Sequence, residues 1–187
     1  MHLFFAIELS AGVTASLDAA TEPMRAVAPD LAWVDAHRRH LTLKFVGESP
    51  DEALPGLVAV ADAVAASHRP FELALHGAGA FPNFRRARVV WAGVEAEPRL
   101  ELLHHDLELA CLDAGVEVEG RPFRPHVTLA RVRTPLTPDE ARALARAARK
   151  VAFSAAQDVA ALSLFDSVPT PAGTHYRRVH AATLGGR

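Results

Sequence analysis

Cysteine, lysine and net charge are all scarce in this 187-residue chain, and the first and last of these shortages exclude whole classes of protein. One cysteine, Cys111, rules out a disulfide framework and a cysteine-rich zinc site. A formal net charge of −2, from 20 basic and 22 acidic side chains, falls short of the basic surface that sequence-independent binding to long nucleic acid needs. A small anionic ligand or a nucleic-acid end stays compatible with it. No apolar run approaches the roughly 20 residues that span a bilayer. The opening Met1-His2-Leu3-Phe4-Phe5-Ala6 lacks the charged and apolar regions of a signal peptide, and Glu8 follows it, so the expectation is a cytoplasmic protein without a membrane partner. Of the basic residues only Lys44 and Lys150 are lysine; codon bias produces such an arginine excess, so it does not by itself indicate phosphate binding. Also missing are a Gly-x-Ser-x-Gly elbow, a phosphate loop, a dinucleotide fingerprint and any Gly/Ser/Pro-rich linker. The chain reads as one domain or two packed lobes, since lobes of roughly 90 residues bury too little surface to stand alone comfortably.

What is present is self-similarity. Leu3 to Leu9 and Val89 to Glu95 are β-like apolar runs displaced by 86 residues, and at the same displacement His40-Leu41-Thr42-Leu43 falls on His126-Val127-Thr128-Leu129. Ser49-Pro50-Asp51-Glu52-Ala53 is echoed by Thr137-Pro138-Asp139-Glu140-Ala141. Both read as helix starts, with Ser49 or Thr137 as N-cap, proline at the first helical position and Glu52 or Glu140 completing a capping box. Each repeat thus reads as strand, helix, His-x-Thr strand, capped helix, strand.

Ser10 caps a first helix with Val13, Leu17, Ala20 and Met24 on one face, which Pro23 is expected to kink or end. Leu100, Leu103, Leu107, Ala110 and Ala114 mark another, stopped at Gly115. Further strands are expected at Phe71 to Leu75, Phe153 to Gln157, Leu162 to Phe165 and Tyr176 to Thr183. The resulting expectation is an α+β fold of two pseudo-two-fold-related lobes, each an antiparallel sheet with helices outside and a cleft between. It is a single bilobal domain over 1–187, with repeats at roughly 1–80 and 87–160 and closing strands to 187.

Side chains alternate along a strand, so His40, Thr42 and Lys44 share one face and His126, Thr128 and Ala130 share another. A pseudo-two-fold would bring two imidazoles and two hydroxyls together across the cleft. That set suits displacement at phosphorus. With an ordinary pKa near roughly 6.5, one imidazole can accept a proton from the entering water while the other, protonated, donates to the leaving oxygen. Threonine hydroxyls can donate to the non-bridging oxygens, and the scheme calls for no metal and no cofactor. One His-x-Thr strand alone would mean little; two in a duplicated frame carry the inference.

His40-Leu41-Thr42-Leu43-Lys44-Phe45-Val46-Gly47 and Arg124-Pro125-His126-Val127-Thr128-Leu129-Ala130-Arg131 resemble the paired signatures of the two-histidine (2H) phosphoesterase superfamily. More narrowly, they resemble its bacterial and archaeal RNA 2',3'-cyclic phosphodiesterases, historically called 2'-5' RNA ligases. The Leu3-Phe4-Phe5-Ala6 strand, Phe81-Pro82 before Arg85 to Val94, and the Gly173 to Tyr176 segment match as well. The resemblance implies that His40 is the general acid, His126 the general base, and that Thr42 and Thr128 hold the phosphate. It further implies an RNA end bearing a 2',3'-cyclic phosphate as partner, a tRNA fragment among the options, and a 2'-phosphomonoester product. Ligation to a 2'-5' linkage, hydrolysis of a nucleotide or ADP-ribose cyclic phosphate, and a non-catalytic RNA-end binding module are the alternatives. A monomer is expected.

Other residues weigh less. Alternation turns Arg131 away from His126, leaving a salt bridge and a phosphate contact as equal options, while Lys44 on the His40 face could reach an RNA phosphate. Arg85, Arg86 and Arg88 with Phe81 and Phe84 could guide a single-stranded end, though a solvated loop is the more ordinary role. His37 with His40, and His104 with His105, lack the carboxylates or thiols of a zinc shell. Cys111 is expected to be a buried small hydrophobe.

Overall fold

The computed structural model describes residues 1–171 and 173–185; Ala172 and the last two positions of the expected closing strand, Gly186 and Arg187, lie outside it. Its helices are α1 (Ala11–Val27), α2 (Leu54–Ser67), α3 (Pro98–Asp113) and α4 (Pro138–Arg149). Its strands are β1 (His2–Glu8), β2 (Ala32–Trp33), β3 (His40–Glu48), β4 (Phe71–Phe81), β5 (Val89–Val94), β6 (His126–Arg131), β7 (Ser154–Val159), β8 (Ala161–Thr170) and β9 (Gly173–Thr183). The expected α+β architecture is found, as one curled antiparallel sheet in the order β7-β4-β5-β6-β3-β1-β8-β9 with β2 on β6. The lobes β7-β4-β5-β6 and β3-β1-β8-β9 meet through one residue pair, Leu41 opposite Val127.

Two strands cross between the lobes. β4 follows α2 in sequence yet pairs with β5, and β8 pairs with β1. Helices follow suit: α1 packs on α4 over the β4/β7 side, and α2 packs on α3 over the other lobe. Between sheet and helices lies one apolar core that includes Leu3, Phe5, Ile7, Leu41, Leu43, Val127 and Leu129. A small second cluster of Phe4, Ala6 and Phe165, with Tyr176 against it, occupies the opposite face of the sheet.

Three local expectations change. Helix α1 continues past Pro23 to Val27, because Pro23 and Ala19 are exposed and the carbonyl that loses its donor opens to water. The first capping box does not form: Ser49 is buried with its hydroxyl donating to the Gly47 carbonyl, Asp51–Ala53 is a 3₁₀ turn, and α2 starts only at Leu54. Pro55 accounts for the delay, since without an N–H it fits only the first turn. Its counterpart forms in full, with the Thr137 side chain accepting from Glu140 N–H and the Glu140 carboxylate accepting from Thr137 N–H. On α3 the stripe runs from Leu107 to Cys111, buried as expected, but Ala110 is only half-buried and Ala114 is exposed.

The displacement of 86 residues between the first strands also needs correcting. Glu8 pairs with His40 whereas Gly93 pairs with His126, so β5 corresponds to β1 at 85 residues while β6 corresponds to β3 at 86. A slip of one residue exchanges the faces of a strand. At 85, Phe4 matches Val89 on the face of the histidines; at 86, buried Leu3 would have been matched to it.

Candidate active site

Antiparallel pairing at Leu41 and Val127 puts those two side chains together in the core and their neighbours together on the other face. The register therefore places all four residues on one face where the lobes join, His40 across from Thr128 and Thr42 across from His126.

Both imidazoles are anchored alike. The His40 Nδ1 lies 2.9 Å from the Arg38 carbonyl oxygen, and the His126 Nδ1 lies 2.7 Å from that of Arg124. A carbonyl only accepts, so Nδ1–H donates in each ring and Nε2 is the nitrogen available for proton transfer. Aromatic edges fix the ring planes: Tyr176 meets His40 at 5.0 Å and 89°, and Phe81 meets His126 at 5.0 Å and 90°. Phe4 lies 4.9 Å from the His40 ring. Behind Phe81, at 5.2 Å, is Trp91, whose indole covers the Gly79 backbone so closely that a Cβ there would collide with it.

A bulge follows each motif. Leu43 is the extra residue between Thr42, opposite Ala6, and Lys44, opposite Phe5; Leu129 is the extra residue between Thr128 and Ala130. One inserted residue reverses alternation. The two strands consequently share a burial pattern in which the fourth and fifth residues are buried and the sixth is exposed. Lys44 does not share the His40 face: it is 1% exposed, with Nζ 2.9 Å from Glu108 and 2.6 Å from the Glu117 carbonyl oxygen. Arg131 does not turn away, emerging instead on the histidine face opposite Val89, with exposed Phe45 at the matching place in β3.

Burial, opposed by the hydrogen bond to Arg38, lowers the His40 pKa below its ordinary value, and the positive charges of Arg131, His126 and Arg38 lower it further. His40 also lines a cavity of about 460 Å³ with Glu8, Asp18 and Tyr176.

The remaining candidates fall elsewhere. Phe84 packs against the core, and Arg85, Arg86 and Arg88 are exposed around its turn. His104 stacks on Phe123 at 3.8 Å, His105 is exposed, and the buried Cys111 thiol is pushed up to about 11 by burial. Among the described residues no group of three or more His, Cys, Asp or Glu side chains could hold a metal ion, and no helix is long and apolar enough to cross a membrane. Phe4, Trp91 and Arg38 were not singled out by sequence. The signal for Phe4 was the unbroken apolar run of β1, which marks a strand covered on both faces.

The chain belongs to the 2'-5' RNA ligase superfamily, whose family model matches residues 13–168. It is 34% identical over 146 residues to a Geobacillus stearothermophilus protein named RNA 2',3'-cyclic phosphodiesterase, covering 76% of this chain but only 46% of that protein. A Methanothermobacter thermautotrophicus protein of the same name is 31% identical over 94% of this chain and 95% of its own length. Among solved structures, a Thermus thermophilus protein superposes with a TM-score of 0.79 at 31% identity, covering 100% of this chain and 99% of that one. Escherichia coli LigT complexed with 3'-AMP gives 0.72 at 28% identity over 98% and 97% of the two chains.

Proposed function

We propose that this protein hydrolyses the 2',3'-cyclic phosphate at an RNA end to a 2'-phosphomonoester, with His40 as proton donor and His126 as proton acceptor. Water attacks phosphorus as His126 Nε2 takes its proton, the bond from phosphorus to the 3' oxygen breaks, and His40 Nε2 supplies the proton that oxygen needs. Thr42 and Thr128 donate hydrogen bonds to the non-bridging oxygens, where charge concentrates in the transition state. The supporting observation is the matched tether of both Nδ1 atoms to backbone carbonyls, which leaves an Nε2 free in each ring. The shared name of the relatives supports the substrate class, and the proposal needs no metal.

The lowered His40 pKa favours neutral imidazole in the free protein, against its role as donor. A bound phosphate supplies negative charge beside the ring and acts in the opposite direction. The test is a short RNA with a 2',3'-cyclic end, incubated in EDTA. General acid and base contributions are typically worth roughly 10² to 10⁴ in rate, so His40→Ala and His126→Ala should each lose that much while folding normally. The double variant should be little worse than either. Unchanged turnover in one single variant, or activity abolished by EDTA and restored by metal, overturns the proposal; recovery of a 2'-5' linked product with a 5'-hydroxyl partner would identify the ligase instead.

A further inference from the structure

The cavity beside His40 is walled on one side by α1, and two carboxylates line it. They are unequal. Glu8 is engaged at both oxygens, receiving Arg178 Nη1 at 3.0 and 3.2 Å and the Ser163 hydroxyl at 2.8 Å. Asp18 receives Arg39 at 2.6 Å and Arg25 at 3.0 Å, both on Oδ1, and among the described residues nothing donates to Oδ2. Arg39 is fully buried at its side chain and also donates to the Val34 carbonyl at 3.1 Å, so it holds Asp18 from behind, whereas Asp18 itself is 43% exposed. The result is an oriented carboxylate with one open acceptor, in a cavity that also carries the Tyr176 ring.

The volume, about 460 Å³, lies within the range of small-ligand sites. Aromatic walls suit a nucleobase, and a carboxylate accepts from an exocyclic amine such as cytosine N4. A ribose phosphate placed at His40 brings its own base to this side or to the Phe45 side. On this side lies a cavity bordered by His40.

We propose that the cavity seats the base of the terminal nucleotide and that Asp18 Oδ2 selects bases bearing an exocyclic amine over uracil. The proposal rests on the RNA-end function above. Uracil presents a carbonyl oxygen where cytosine presents its amine, and that oxygen faces the carboxylate unfavourably.

The experiment compares 2',3'-cyclic CMP with 2',3'-cyclic UMP as substrates, and 2'-CMP with 2'-UMP as ligands by calorimetry. A hydrogen bond to a charged group, discounted for exposure, gives the cytosine compounds an advantage of about tenfold in kcat/KM and in affinity. In Asp18→Asn the arginines keep the amide oxygen, the amide NH₂ takes the Oδ2 place, and the preference vanishes or reverses toward uracil. Ala15→Phe, at an exposed α1 residue lining the cavity and outside the ion pairs, should fill the space and erase the preference without touching Asp18. Equal wild-type affinity for 2'-CMP and 2'-UMP overturns the proposal, as does a preference that survives Asp18→Asn or Ala15→Phe. Cytosine-selective binding without hydrolysis of the short RNA bearing a 2',3'-cyclic end would keep the pocket and refute the hydrolase.

Discussion

Replacing Lys44 by methionine measures which side of the sheet this lysine serves. The residue is 1% exposed, and its ammonium group is held by Glu108, whose side chain is 10% exposed, and by the Glu117 carbonyl. Methionine keeps most of the volume but leaves the Glu108 carboxylate buried without its cation. Breaking a buried pair from one side costs about 3–5 kcal/mol. For a chain of this size each kcal/mol moves Tm by about 2–4 °C, so Lys44→Met should melt about 6–20 °C lower. Replacing both partners, as in Lys44→Met with Glu108→Leu, should recover most of the loss, because the burial cost of both ions disappears with them. Urea unfolding of the wild type, both single variants and the double variant closes the cycle. Below the melting transition, kcat/KM of Lys44→Met should match the wild type. A variant of normal stability and depressed kcat/KM would refute the reasoning, since it would put the ammonium on the histidine face and remove the Leu43 bulge from the account.

Three further outcomes follow from geometry. Burial, then the charges of Arg131, His126 and Arg38, disfavour protonated His40; Arg131→Met removes one of those charges and raises the His40 pKa. With His40 as acid, the alkaline limb of the kcat/KM profile should move to higher pH, and an unmoved limb would deny either the coupling or the role. Thr137→Ala should cost about 1 kcal/mol by calorimetry through loss of an N-cap, while Ser49→Ala, at a position that caps no helix, should leave α2 intact; equal helix losses would contradict the two different starts. Gly79→Ala must displace the Trp91 indole that braces Phe81 against His126, costing about 1–3 kcal/mol and lowering kcat; an unperturbed near-ultraviolet tryptophan signal with full activity would show that the brace is dispensable.

The histidines and threonines were legible because plain alternation holds from His40 to Thr42 and from His126 to Thr128. It fails one residue later. Whether Leu43 and Leu129 bulge depends on how β1 and β5 pair with them, so Lys44 and Arg131 were both assigned to the wrong face. The α4 cap was legible because every participant lies within one turn. The α2 start was not, because Pro55 lies beyond the Ser49 box and competes with it. Helices and most strands could be located from local pattern, but the destination of β4 and β8 could not: pairing partners so distant in sequence leave no local mark.

That exchange has a consequence for synthesis. β1 is complete within the first eight residues, yet the edge it shares with β8 stays unpaired until the chain reaches Ala161. Throughout elongation the nascent protein carries an open strand edge beside the apolar Phe4 and Ala6, the kind of surface that recruits other chains. A product released early, anywhere before β8, would present a sticky, half-closed sheet, and a segment made long after β1 is the one that renders β1 safe.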